Sequence, residues 1–238
     1  MDALILKIDK IVLFLCLAVF LFFLLGVRIV AKRQQTGLET AAQANTATVI
    51  LDAGHGGQDG GAVAGDGTME KELNLQITRH LSEMLQAAGY RVYLTRSEDT
   101  ALSENGFHKR EDMLKRIALA EEHPEALFIS IHLNKYPSEK PNGTQIFYSS
   151  NHPQSEALAA AMQRSVCLRL QPENKRTIRI GNENTLLLAR IQSPAVLVEG
   201  GFLSNPQELS LLKSEDYQKK LAYCLFLGIE EYETEVNS

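Results

Sequence analysis

Three polar side chains stand where hydrophobic runs stop. His55 lies in Gly54-His55-Gly56-Gly57, just after the run TVILD at 48–52. His132 ends the run LFISIH, and Glu199 ends AVLVE and precedes Gly200-Gly201. Two further carboxylates, Glu70 and Glu72, follow a stretch (54–67) with seven glycines in fourteen residues. Two histidines and one carboxylate make a catalytic zinc set, with water in the fourth position. A second carboxylate can then act as general base on that water. Such a metal acidifies the water and polarises a scissile carbonyl, and the glycines let backbone approach without a Cβ clash.

Each residue also has a plainer use. His55 could be an exposed loop histidine, and His132 a hydrogen-bonded core histidine. Glu199 could cap a turn or pair with a cation, although a buried carboxylate without a partner is costly. Glu70 and Glu72 compete for one role, and spacing does not choose between them. His80, His108, His123 and His152 have no partners at ligand spacing and read as surface residues. Cys167 and Cys224 are too far apart for a Cys-x-x-Cys metal pair, so a metal here needs histidine and carboxylate ligands. The glycine stretch is no phosphate loop. It lacks Gly-x-x-x-x-Gly-Lys-Ser/Thr, has no Lys or Arg between Thr48 and Met69, and carries Asp52, Asp59 and Asp66.

The elements that must position these groups alternate. Residues 48–52 read as a strand, 54–67 as a loop, and 70–88 as a helix with Leu73, Ile77, Leu81 and Leu85 on one face and Gly89 at its stop. A strand at 91–95 completes a βαβ unit. A helix at 110–122, strands at 127–132 and 144–149, a helix at 155–170, a strand at 195–199 and a helix at 215–230 follow. Asn205-Pro206-Gln207-Glu208 reads as an N-cap, a first-turn proline and a capping-box glutamate. The alternation argues for an α/β sheet with helices on both faces. In such sheets sites gather outside the carboxyl ends of the strands, where His55, His132 and Glu199 fall.

The 238 residues, 45% hydrophobic and 22% charged, suit one sizeable globular domain plus a tail. The net charge of −5 excludes a generally basic nucleic-acid binder. Residues 11–27 contain no charge, and with 28–31 they are long enough to span a membrane. We expect a cytoplasmic stub at 1–10, a transmembrane helix at 11–31, a linker at 32–47, a catalytic domain at 48–232 and a tail at 233–238. The competing expectation is a cleaved signal segment, although the run is longer than usual for one and the first Ala-x-Ala site, Ala42-Gln43-Ala44, lies far beyond it. Five basic and two acidic residues precede Gln34, leaving 19 basic and 27 acidic residues in an acidic remainder.

The strings VILDAGHGGQDGGA, MEKELNL, SIHLN and AVLVEGGFLSN, in that order, resemble the zinc-dependent N-acetylmuramoyl-L-alanine amidases of the Amidase_3 type. The resemblance covers about 48–232. It implies a mostly parallel, roughly six-stranded sheet flanked by helices, and hydrolysis of the amide between N-acetylmuramic acid and the L-alanine of the peptidoglycan stem. It places zinc ligands on His55, Glu70 and His132, the catalytic glutamate on Glu199, and a supporting role on Asn134. The chain departs from the commoner strings at Ala53 and Gly200, neither of which supplies a ligand. A short chain with one catalytic domain, together with the Asp59-Gly60-Gly61-Ala62 and 199–206 runs, is similar to the germination-specific, spore-cortex branch. That implies action coupled to a muramic acid deacetylase on the way to muramic-δ-lactam. The alternatives are a vegetative wall amidase, a domain needing an activating partner to load zinc, a metal peptidase and a wall-binding module. Peptidoglycan lies outside the cytoplasmic membrane, so the resemblance puts the catalytic domain outside, anchored through 11–31, or secreted if that segment is cleaved.

Overall fold

A computed structural model describes residues 47–104, 106–181 and 185–237. The expected transmembrane helix at 11–31 lies outside the described residues, as do the stub and all of the linker except Ala47. Among the described residues no helix is long and apolar enough to cross a membrane.

Six strands form one sheet: β1 (Thr48–Ala53), β2 (Arg91–Leu94), β3 (Leu127–Asn134), β4 (Gln145–Tyr148), β5 (Arg179–Ile180) and β6 (Ala195–Phe202). The helices are α1 (Glu70–Ala87), α2 (Lys109–Glu122), α3 (Gln154–Arg169), α4 (Leu186–Arg190), α5 (Pro206–Leu212) and α6 (Glu215–Val236). The strand order is β2-β1-β3-β6-β4-β5. Neighbours run parallel except β4, which is antiparallel to β6. The six-stranded α/β expectation holds. The sequence pattern did not identify the two-residue β5 or the five-residue α4, both shorter than a periodic signal needs. It also ended the last helix at 230, whereas α6 continues to Val236 through most of the expected tail.

Side chains alternate along a strand, so each strand feeds two cores. Val49, Leu51, Ile129, Ile131, Val196 and Val198 face one side with Leu73, Ile77, Leu81 and Leu85 of α1. Leu158 and Met162 of α3 and Leu221, Leu225 and Ile229 of α6 close that side. Ile50, Phe128, Ala195 and Leu197 face the other, against Ile117 of α2 and Leu187 and Leu188 of α4. Asp52, Ser130, His132 and Glu199 occupy this second face's alternating positions farther along β1, β3 and β6.

The chain turns outward from β1 to β2 and then returns to β3 on the other side of β1. The carboxyl ends of β1 and β3 therefore border a topological switch point. Gly89 ends α1 as expected, with a φ of 92° and Tyr90 N–H donating to the Leu85 carbonyl at 3.0 Å. Asn205 caps α5 by accepting from the N–H groups of Gln207 and Glu208. Glu208 does not close the expected capping box. Its carboxylate accepts from Gly143 and Phe202 N–H at 2.8 Å each, joining α5 to the sheet's end.

Candidate active site

The loop after β1 brings His55 back over the sheet. His55 has a φ of 62°, the one non-glycine in left-handed backbone among the described residues. That conformation strains an ordinary residue by about 1–3 kcal/mol and persists only where the surroundings hold it. Two buried arginines supply the hold. Arg96 donates to the carbonyls of Ala53 (2.9 Å) and Gly54 (3.1 Å). Arg116, only 2% exposed, donates to the carbonyls of Ala53 and His55, at 3.0 Å each. It also pairs with Asp112 at 2.8 Å and with Asp52, which accepts from Thr95 and Ser130 hydroxyls. Burial works against ionisation of Asp52, but Arg116 and the hydroxyls hold its carboxyl below the ordinary value.

Glu70 opens α1 and is 4% exposed, whereas Glu72 is exposed on the helix surface. The loop docks on the helix start through Glu70 N–H to the Ala62 carbonyl (2.9 Å) and Lys71 N–H to that of Gly60 (3.2 Å). The Glu70 carboxylate accepts from Ala62 N–H (2.9 Å), Leu133 N–H (3.1 Å) and the Asn74 amide (3.2 Å). His55 Nε2 lies 3.3 Å from Glu70 Oε2, and His132 Nδ1 lies 3.0 Å from Glu70 Oε1. One donor atom from each of His55, Glu70 and His132 falls within 4.8 Å of the others. Ligands on a tetrahedron with zinc-like bonds are separated by roughly 3.4 Å. The donor set and its spacing therefore fit a zinc-class cation.

Two glycines make the room. A Cβ on Gly54 would stand 2.3 Å from the His132 ring. A Cβ on Gly61 would stand 2.6 Å from His55 Cδ2 and 2.7 Å from Glu70 Oε2, and Gly61 itself has a φ of 67°. Asp59 Oδ2 accepts from His55 Nδ1 at 2.8 Å, and its Oδ1 accepts from Gly61 N–H at 3.1 Å. That bond assigns the proton to Nδ1 and leaves Nε2 lone-pair outward, toward Glu70.

The charges are tightly coupled. Burial disfavours the Glu70 anion, yet His132 and then His55 hold its carboxyl well below the usual carboxylate range. Burial lowers the His55 pKa, but Glu70 and Asp59 outweigh it and raise the net value. Asp59 is lowered against burial by His55, the Gly61 N–H and, farther off, Lys109.

Glu199 sits on β6 in register with His132 on β3, so both side chains project to the same face. Its Oε2 is sealed from solvent and has no hydrogen-bond partner among the described residues. Burial pushes its carboxyl up and the Glu70 charge adds to the shift. His132 and His55 oppose it, and the result is about 7. A cleft above the group is lined by Phe107, Lys109 and Met113 on one side and Leu186, Leu187 and Leu197 on the other.

The structure thus brings together His55, Glu70, His132 and Glu199. Asn134 ends β3 at the β3–β6 irregularity, where its carbonyl accepts from Leu203 N–H at 2.8 Å, and it is not among the residues lining the cleft. His80, His108, His123 and His152 stay away from it; half-buried His123 stacks on Tyr93 with ring centroids 4.0 Å apart. Sequence reasoning missed Asp59, Arg96 and Arg116. For Asp59 a signal existed, a carboxylate four residues after a candidate ligand histidine.

A His–Glu–His cluster able to hold a metal, beside a buried carboxylate at the carboxyl ends of an α/β sheet, is an arrangement suited to metal-assisted hydrolysis. The N-acetylmuramoyl-L-alanine amidase family, Amidase_3, matches residues 49–231. The chain is 38% identical over 192 residues to the germination-specific N-acetylmuramoyl-L-alanine amidase of Bacillus subtilis (strain 168), covering 79% of this chain and 80% of that one. The CwlD amidase from Clostridioides difficile, solved in complex with the GerS lipoprotein, superposes with a TM-score of 0.76 at 35% identity, covering 79% of this chain and 99% of that one. The catalytic domain of CwlV from Bacillus (Paenibacillus) polymyxa var. colistinus gives 0.67 at 33% identity, covering 79% and 99%. The chain belongs to the N-acetylmuramoyl-L-alanine amidases, hydrolases that cleave the amide joining the stem peptide to muramic acid in peptidoglycan.

Proposed function

We propose that this amidase is zinc-dependent, that His55, Glu70 and His132 are the ligands, and that Glu199 is the catalytic base. The observation that carries this is the unpartnered Glu199 Oε2, with its carboxyl near 7, beside three donor atoms within 4.8 Å of one another. Zinc held there supplies a Lewis acid for the lactyl carbonyl and for an attacking water. Glu199 takes the water's proton and returns it to the departing alanine nitrogen. A carboxyl that burial pushes up, against the charge of a metal that would pull it down, suits a group that must both accept and give up a proton. Asp59 fixes the His55 tautomer, and Arg96 and Arg116 fix the backbone that carries it. Asn134 supports the β3–β6 junction rather than the cleft.

The 38% identity with a germination-specific amidase supports action on spore cortex. Stem removal leaves a free lactyl carboxylate on muramic acid. A deacetylase then frees the amine with which that carboxylate closes the δ-lactam. The lipoprotein complex of the similar CwlD amidase supports a protein partner for this chain. The apolar run at 11–31 supports membrane anchoring with an extracytoplasmic catalytic domain.

The test is incubation of the purified protein with peptidoglycan, with bound zinc measured and fragments identified by mass spectrometry. Free stem peptides beginning at L-alanine are expected. Cleavage within the stem would make it a peptidase, and stoichiometric binding without release a wall-binding module. Zinc loading and turnover that appear only with a lipoprotein partner present would make it partner-activated. Spores lacking the protein should lack muramic-δ-lactam; normal δ-lactam with a cell-separation defect would place it in vegetative wall turnover.

A further inference from the structure

The cleft carries a lysine that has no hydrogen bond or ion pair among the described residues. Among the cleft's acids, Asp52 and Asp112 are bound by Arg116, both oxygens of Asp59 are engaged by His55 Nδ1 and Gly61 N–H, and Glu199, whose Oε2 has no partner among the described residues, is taken up by the role of base. Arg116 spends its donors on Asp52, Asp112 and the carbonyls of Ala53 and His55. Lys109 lines the same cleft from the start of α2, is exposed, and makes no hydrogen bond or ion pair among the described residues. Its charge adds a small part to the lowering of the Asp59 carboxyl, and Lys109 lines the cleft together with Asp59 and His55. Its neighbours on that rim, Phe107 and Met113, are apolar and offer an anion nothing else.

We propose that Lys109 is a specificity residue that binds a free carboxylate of the stem peptide close to the scissile amide. This rests on the amidase reading above. The two sides of the scissile bond differ in charge. The N-acetylated sugar is neutral around its lactyl amide, whereas a peptide with acidic residues or a free C-terminus carries carboxylates. A lysine ammonium on a flexible four-carbon stem offers three donors and adapts to a carboxylate whose position varies. The spare cation therefore matches the peptide side and sorts substrates by stem charge.

The test uses the purified full chain and two substrates: peptidoglycan fragments with free stem carboxylates, and the same fragments converted to carboxamides. The wild-type protein should favour the free acids by about tenfold in kcat/KM, the low end for a hydrogen bond to a charged group. The preference should sit mainly in KM. Lys109→Gln should bring the ratio between the two substrates close to one, and Lys109→Arg should keep most of it. A wild-type ratio near one, or an undiminished ratio in Lys109→Gln, would overturn the proposal. Failure of the zinc-loaded wild type to release peptide from either substrate, with and without a lipoprotein partner, would instead bring down the amidase reading itself.

Discussion

His132 and Glu199 are register partners on the parallel strands β3 and β6. The backbone ladder alone therefore puts a candidate ligand and the candidate base side by side. A slip of one residue between these strands would send Glu199 to the opposite face, among Leu73, Ile131 and Leu133. The apolar positions on either side of both residues, fixed in their own cores, hold the register.

Replacing the base tests the division of labour. Glu199→Gln should retain the metal and lose at least about 100-fold in rate, the low end for removing a general base. Metal content and peptide release, measured on the same preparation, check this. Near-normal turnover would remove Glu199 from its role.

The same residue should cost stability at alkaline pH. Its carboxyl titrates near 7 in the folded chain, against an ordinary value of 4.5. The folded state thus binds the proton more tightly, and stability present below about 4.5 is lost as pH rises toward 7. The loss amounts to up to about 3 kcal/mol. Metal-free Glu199→Gln should melt higher than metal-free wild type at pH 8 and little differently at pH 4. Melting curves that stay parallel across that range would contradict the shift.

Asp59 should tune metal affinity without being a ligand. Asp59→Asn should weaken zinc binding by about 10–100-fold, the usual effect of losing a carboxylate behind a ligand histidine. His55→Ala and His132→Ala should lose zinc outright. Competition against a chelator ranks the four proteins, and an Asp59→Asn affinity equal to wild type would leave Asp59 with loop geometry only.

Arg116 should be a stability residue with a compensating partner. Arg116→Met leaves the Asp52 charge buried and unpaired and should cost about 3–5 kcal/mol. Adding Asp52→Asn should recover part of that, because the stranded charge is gone. Denaturant unfolding of Arg116→Met, Asp52→Asn and the double variant beside wild type reads the coupling directly.

His55, His132 and Glu199 were legible in the sequence because each interrupts or ends an apolar run at a strand's carboxyl end. Glu70 was not separable from Glu72 by spacing, since both lie in the first turn of α1. What separates them is long-range contact, the N–H groups of Ala62 and Leu133 closing over one carboxylate. Arg116 was illegible because a basic residue in a helix reads as solvated. Its burial depends on Asp52, sixty-four positions earlier, and on Asp112 one turn before it. β4 was recognisable as a strand, but a strand's sequence carries no direction, so its antiparallel pairing appears only in the sheet.

The two faces of the sheet are unequal. Among the described residues, twenty-eight buried hydrophobic side chains make up the core under α1, α3 and α6, and ten the core under α2 and α4. Cooperative opening is cheapest where the fewest apolar contacts must be given up. The five-residue α4, which forms one wall of the cleft, can therefore open while the opposite layer stays shut. Amide hydrogen exchange should record this as early deuteration of α4 and late deuteration of α1 and α6. A bulky, cross-linked wall polymer then meets an entrance that breathes on a foundation that does not.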